Sequence, residues 1–288
     1  MKFEAFVCID WSGAAVARPP GLAVAVCEPG RRAPVLLKPA GGWSREGIQD
    51  WIDQHARNGT RMLIGLDLSP GLPFVDREAY FPNHPDTPAD AHQLWAMIDQ
   101  ACSEELYLSA SRFPLRAGIS EHFRNHTDTG SAFGSGPGRF RAVEKLQRLA
   151  GVSPVSCFNL VGAAQVGKSS LTGMRMLHRL SGRVPVWPFD PLPKAGPLIV
   201  EIYTSIAARA GGIPRGRSKI RDPATLDSVL SQLDSERHRP IAVYDDHSTD
   251  ALITAAWLRR AAQDPALWQP AALTPAIAQT EGWTFGVA

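Results

Sequence analysis

The chain has 288 residues, 44% of them hydrophobic and 20% charged, with 30 lysines and arginines against 28 aspartates and glutamates. That balance is ordinary for a globular protein and excludes disordered, collagen-like and coiled-coil architectures. A formal charge of +2 is too small for the whole molecule to attract nucleic acid or an anionic membrane strongly, so any electrostatic footprint has to be local.

Residues 3–9 form a nearly continuous apolar run that closes on Asp10, the pattern of a strand buried on both faces with a carboxylate at its C-terminal end. Runs 22–27 and 33–37, set off by Pro19-Pro20-Gly21 and Glu28-Pro29-Gly30, complete a predicted meander of three strands. Ile48, Trp51, Ile52 and His55 recur at helical spacing, which predicts a helix over 44–57 with Ser44 as N-cap and Asn58-Gly59 as its end. The next run, 62–66, again closes on an aspartate, Asp67, and breaks at Ser69-Pro70-Gly71-Leu72-Pro73. A right-handed crossover through the helix returns this fourth strand parallel to the first. Asp10 and Asp67 then share the carboxyl edge, where open α/β sheets bind ligands. Two carboxylates there repel unless they are protonated or share a cation.

Two later acids extend the pattern. Glu201 is embedded in the apolar run 198–203, and residues 241–247 open a final helix that carries Asp250, with Asp246 four residues before it on the same face. Asp10, Asp67, Glu201 and Asp250, with Asp246 as a further member, offer the hard oxygen ligands that Mg²⁺ or Mn²⁺ prefers. An aspartate after a strand also serves as turn former or helix cap, and N-capping is an equal reading for Asp245 and Asp246. Glu201 is harder to set aside, because an acid inside an apolar strand is either paired or working.

The wording of these segments resembles that of a known family. Ile9-Asp10-Trp11-Ser12-Gly13-Ala14, Gly65-Leu66-Asp67-Leu68-Ser69-Pro70-Gly71-Leu72-Pro73, Val200-Glu201-Ile202-Tyr203-Thr204, Asp246-His247-Ser248-Thr249-Asp250-Ala251-Leu252 and Glu281-Gly282-Trp283 are similar, in order, to motifs of the domain-of-unknown-function 429 family of predicted ribonuclease H-like nucleases. The resemblance spans residues 3–288. It implies a single α/β domain over 1–288, with a ribonuclease H-like mixed sheet flanked by helices and a large insert over 74–150 after the fourth strand. It also implies Asp10 and Asp67 as metal ligands, Glu201 as an acid at the same edge and Asp250 as the acid from the last helix. Two metals in such a cluster would hydrolyse a phosphodiester, so Mg or Mn is the expected cofactor and DNA or RNA the expected partner.

Cationic surroundings for that substrate come from three stretches: Arg112, Arg116, Arg124, Arg139, Arg141, Lys145 and Arg148; then Lys168, Arg175, Arg179 and Arg183; then Arg209, Arg215, Arg217, Lys219 and Arg221. Arg215, Arg217, Lys219 and Lys168 are the candidate phosphate contacts. Solvated helix faces are the plain alternative. The glycine-rich segment 130–138 is an expected mobile loop, either closing over substrate or merely disordered. His84, His92, His122 and His126 lack zinc spacing, and Cys8, Cys27, Cys102 and Cys157 lack a C-x-x-C pair, which fits a reduced, cytoplasmic setting. No apolar run approaches the ~18 residues of a membrane span, and the apolar stretch at the N-terminus is too short for a secretory signal.

One motif points elsewhere. Gly162-Ala163-Ala164-Gln165-Val166-Gly167-Lys168-Ser169 satisfies the phosphate-loop pattern in full. A strand over 155–161 and an acidic strand over 241–246 would complete a nucleotide hydrolase. Against this, Gly173 falls inside the helix that should face the phosphates, and the N-terminal acids are left unexplained. A catalytically idle binding or scaffold protein on the same fold is the third reading.

Overall fold

The computed structural model describes residues 2–126, 128–162, 165–214 and 219–288. Its elements in chain order are β1 (Ala5–Asp10), β2 (Ala23–Cys27), β3 (Val35–Leu37), α1 (Arg45–Arg57), β4 (Met62–Asp67), α2 (Ala91–Ala101), β5 (Arg124–Asn125), β6 (Asp128–Thr129), α3 (Ala142–Leu149), α4 (Val166–Leu180), β7 (Val186–Trp187), β8 (Leu198–Glu201), α5 (Thr204–Ala210), α6 (Pro223–Gln232), α7 (Asp246–Ala261) and α8 (Pro275–Thr280). Among the described residues no helix is long and apolar enough to cross a membrane.

The fold is α/β, with a mixed six-stranded sheet in the order β3-β2-β1-β4-β8-β7. β2 is antiparallel to both β1 and β3, while β4, β8 and β7 continue parallel from β1. The expected meander, crossover helix and fourth strand are all present. Ser44 caps α1, accepting from the Gly47 amide at 2.9 Å.

Side-chain alternation divides the sheet between two cores. Val7 and Ile9 of β1, with Met62, Ile64 and Leu66 of β4, pack with α1, α2 and α4. Phe6 and Cys8, with Leu63 of β4 and Leu198 and Val200 of β8, pack with α5, α6 and α7. β1 and β4 run in register, pairing Cys8 with Gly65 and Asp10 with Asp67. The two aspartates therefore continue the face that α7 covers.

The segment 74–150 does not sit apart from this sheet. Leu94, Trp95 and Ile98 of α2 join the first core. Phe133, in the glycine-rich segment, is 7% exposed and belongs to the same core. Amides of Ala132 and Phe133 donate to the Glu121 carbonyl at 2.9 and 3.1 Å. The glycine-rich stretch 130–138 is thus tied to the core and does not line the cleft described below.

The stretch 155–161 is not a strand of the sheet; it forms a single bridge between Asn159 and Arg124. Residues 241–245 are likewise extended or bent, outside the sheet. The strands required around the phosphate-loop motif are thus missing among the described residues.

Candidate active site

β1 and β4 end together, and their register places Asp10 beside Asp67 at the carboxyl edge. α7 crosses the same face. Its N-cap, Asp245, accepts from the Ser248 amide at 2.7 Å, which fixes where the helix begins and so where its first turns point. His247 in that first turn places Nδ1 2.8 Å from Asp10 Oδ2. Asp250, one turn on, comes under the same acids: burial, then Asp10 and Asp246, push its carboxyl up to about 7, against the opposing pull of His247 and Lys219.

Asp67 is perturbed in the same direction. Burial, Asp10 and Asp250, in that order, raise its carboxyl well above the usual carboxylate range, opposed by the Thr204 hydroxyl 3.4 Å from Oδ2. Burial also raises Asp10, and the His247 hydrogen bond offsets part of it. Three acids thus disfavour one another's charge at one buried edge, with His247 beside Asp10 and weaker relief of Asp250 from His247 and Lys219. Among the described residues no group of three or more His, Cys, Asp or Glu side chains is arranged to hold a metal ion. Asp10 is turned to His247 and Asp67 to Thr204.

Glu201 and Asp246 stand differently from expectation. Glu201 pairs in register with Leu66, so alternation turns it away from the Asp10 and Asp67 face. Its carboxylate is held bidentately by Arg141, Nη1 to Oε2 at 2.7 Å and Nη2 to Oε1 at 2.6 Å, and Oε1 also accepts from Thr284 Oγ1 at 2.7 Å. Arg141 completes its donors with Glu144 Oε1, Ser69 Oγ and the Glu281 carbonyl. Glu201 is the paired acid of the two possibilities. Asp246 pairs with Lys219 and Arg221, each 2.5 Å away, and although burial favours its neutral form these two cations hold its carboxyl below the usual range.

The edge opens into a cleft of about 430 Å³. Its lining includes Asp67, Glu201, Tyr203 and His247 together with Gln165, Val166, Lys168 and Ser169 at the start of α4. Gly13 joins the walls: a Cβ at this position would stand 2.4 Å from the Lys168 carbonyl carbon and 2.5 Å from the Ser169 nitrogen. Gly13→Ala must push backbone against backbone, and overpacking of this kind costs about 1–3 kcal/mol. The variant should show a clearly lowered thermal midpoint by differential scanning calorimetry. An unchanged midpoint would mean the walls are not pressed together.

In the described part of the phosphate-loop motif the backbone amides of Gly167, Lys168 and Ser169 are already paired. The Gly167 amide donates to the Asn159 carbonyl at 3.2 Å, and the Lys168 and Ser169 amides donate to Gln165 at 3.0 and 3.4 Å. These amides do not form a free cradle of the kind that holds phosphates in a nucleotide hydrolase. Gly173 has its own reason, since a Cβ there would lie 2.2 Å from Leu68 Cδ2. Comparison with family models, curated proteins and solved structures brings no match.

Several site-related residues carry no signal that single-sequence reasoning weighs as structural. Glu281 is fully buried and accepts from the Phe74, Val75 and Ala142 amides at 2.6, 2.9 and 2.5 Å. It ties the exit from β4 to the start of α3. Arg139, Arg175, Arg179 and Arg183 are committed to Asp76, Asp99, Asp99 and Asp53 respectively. Lys219 is committed to Asp246, and Arg215 and Arg217 lie outside the described residues.

Proposed function

We propose that the chain is a divalent-metal-dependent phosphodiesterase of ribonuclease H type that acts on nucleic acid, with Asp10, Asp67 and Asp250 as the residues that hold Mg²⁺ or Mn²⁺. One observation carries this reading: two in-register strand-end aspartates and a helix aspartate converge on one buried edge with too little positive charge to balance them. Uncompensated buried carboxylates are costly, and a shared divalent cation relieves all of them at once. The sheet order, with an antiparallel β2 between β3 and β1 and parallel strands beyond, agrees with a ribonuclease H-like assignment.

The donor set suits a hard cation in kind, being oxygen only. In the present arrangement one of the two Asp10 oxygens, Oδ2, is engaged by His247. Bound there, the metal would supply an activated water and neutralise charge building on the phosphate. The protein's share is to fix Asp10 and Asp67 through strand pairing and Asp250 through the capped α7. Glu201 and Asp246 serve the frame instead, one locked to Arg141 and the other to Lys219 and Arg221.

Isothermal calorimetry with Mn²⁺ tests the reading. Wild type should bind saturably, and Asp10→Asn should bind at least about tenfold more weakly. Hydrolysis of bis(p-nitrophenyl) phosphate by wild type should depend on the added metal. Equal Mn²⁺ affinity in the two proteins would remove the premise, whereas metal binding without hydrolysis would favour the scaffold.

A further inference from the structure

The cleft holds three basic side chains, Arg141, His247 and Lys168. All of Arg141's donors are used: Nε on Glu144, Nη1 on Glu201 and the Glu281 carbonyl, Nη2 on Glu201 and Ser69. His247 is tied to Asp10. Among the described residues, Lys168 alone of the three makes no side-chain hydrogen bond or ion pair. It is half-buried, and Gly13, three residues past Asp10, packs on its backbone, which fixes the start of this lysine's side chain at the cleft that Asp67 also lines.

Resting on the metal-site reading above, we propose that Lys168 pairs with a single phosphate of a nucleotide-sized ligand, so that the cleft engages a strand end or a short single-stranded segment and not the backbone of a duplex. Size agrees with this. A cleft of about 430 Å³ lies near the lower end of the roughly 300–1,000 Å³ range of small-molecule pockets. Pro154, Val155, Val166, Ile202 and Tyr203 supply apolar lining for a sugar or base beside the charged wall. Charge agrees as well. A duplex needs a row of free cations along its track, whereas among the described residues that line this cleft Arg141 and His247 are spent on acids and Lys168 alone is unpaired. The phosphate contact is made by the lysine side chain, because the amides of the same turn are already spent on Asn159 and Gln165.

The test is calorimetric titration of thymidine 5′-monophosphate into Mn²⁺-loaded protein, with thymidine as the control lacking phosphate. Wild type should bind the nucleotide and discriminate against the nucleoside. Lys168→Ala should bind the nucleotide at least about tenfold more weakly and Lys168→Arg within about threefold of wild type, since either cation pairs with one phosphate. Both variants should keep the wild-type Mn²⁺ affinity. Unchanged nucleotide affinity in Lys168→Ala overturns the proposal, as does tight binding of a 20-base-pair DNA duplex with a logarithmic salt slope of several units, each contact contributing about 0.9. Loss of Mn²⁺ binding in wild type would instead defeat the metal-site reading, so the two failures are separable.

Discussion

An Arg141→Met protein is expected to melt roughly 10 °C below wild type, from a loss of about 3–5 kcal/mol on removing one partner of a buried ion pair. Arg141 is 1% exposed, Glu201 4% and Glu144 3%. Methionine is of similar length but leaves Glu201 and Glu144 as buried acids with no cation, and strands the Glu281 carbonyl. The damage should not stay local. Arg141 opens α3, Ser69 follows β4, Glu201 ends β8, and Glu281 precedes the bridge that Thr284 makes to β8. One guanidinium therefore fastens the segment 74–150, two central strands and the C-terminal segment. The double variant Arg141→Met, Glu201→Leu should lose less than the sum of the singles, by about 1 kcal/mol or more, since it removes an acid that the single variant orphans. Thermal melts of the four proteins in the cycle decide it. A single-variant midpoint within two or three degrees of wild type would mean that solvent reaches Glu201 and the pair is dispensable.

The parts of this molecule that were legible in its sequence are those governed by short-range periodicity. Apolar runs ending on Asp10 and Asp67, joined by a capped helix, fix a parallel pair and with it the meeting of those two side chains. Asp250 was legible for the same reason, since its helix begins at a capping aspartate. Glu201 shows where such reading stops. Its position at the end of an apolar strand was visible, but the face it takes depends on register with Leu66, and its partner lies 60 residues away. The basic stretches share this defect. Arg139 meets Asp76 across 63 residues and Lys219 meets Asp246 across 27, so sequence shows the cations and hides the neutralisation. The phosphate-loop pattern differs again: eight residues match, but the flanking strands that would give the pattern its meaning are absent among the described residues. Its lysine still reaches the cleft.

Asp67→Asn should lower metal-dependent phosphodiester hydrolysis by about 10²–10³-fold, because metal ions contribute several kcal/mol of transition-state stabilisation and each 1.36 kcal/mol is tenfold in rate. The same change should make the metal-free protein more stable. Asparagine keeps the shape and the reach to Thr204 while deleting a carboxylate that burial, Asp10 and Asp250 all disfavour in its charged form. The sign follows from proton binding. A carboxyl whose folded pKa lies above its unfolded value binds more protons in the folded state between the two, so stability falls as pH rises through that interval. For Asp250 the interval runs from the ordinary 3.8 to about 7, and Asp67 is displaced in the same direction. In EDTA at pH 8 Asp250 is ionised and adds to the charge that disfavours an ionised Asp67, so the variant should exceed wild type by about 1 kcal/mol, or roughly 2–4 °C. At pH 5 Asp250 is largely protonated in the folded protein, and the advantage should shrink. Saturating Mn²⁺ should reverse the order at pH 8, since a ligand that binds only the folded state stabilises wild type more than a variant lacking one of its oxygens. Reduced hydrolysis together with a lower metal-free midpoint at pH 8 would place Asp67 in the framework with Glu201, held by partners and not awaiting a cation.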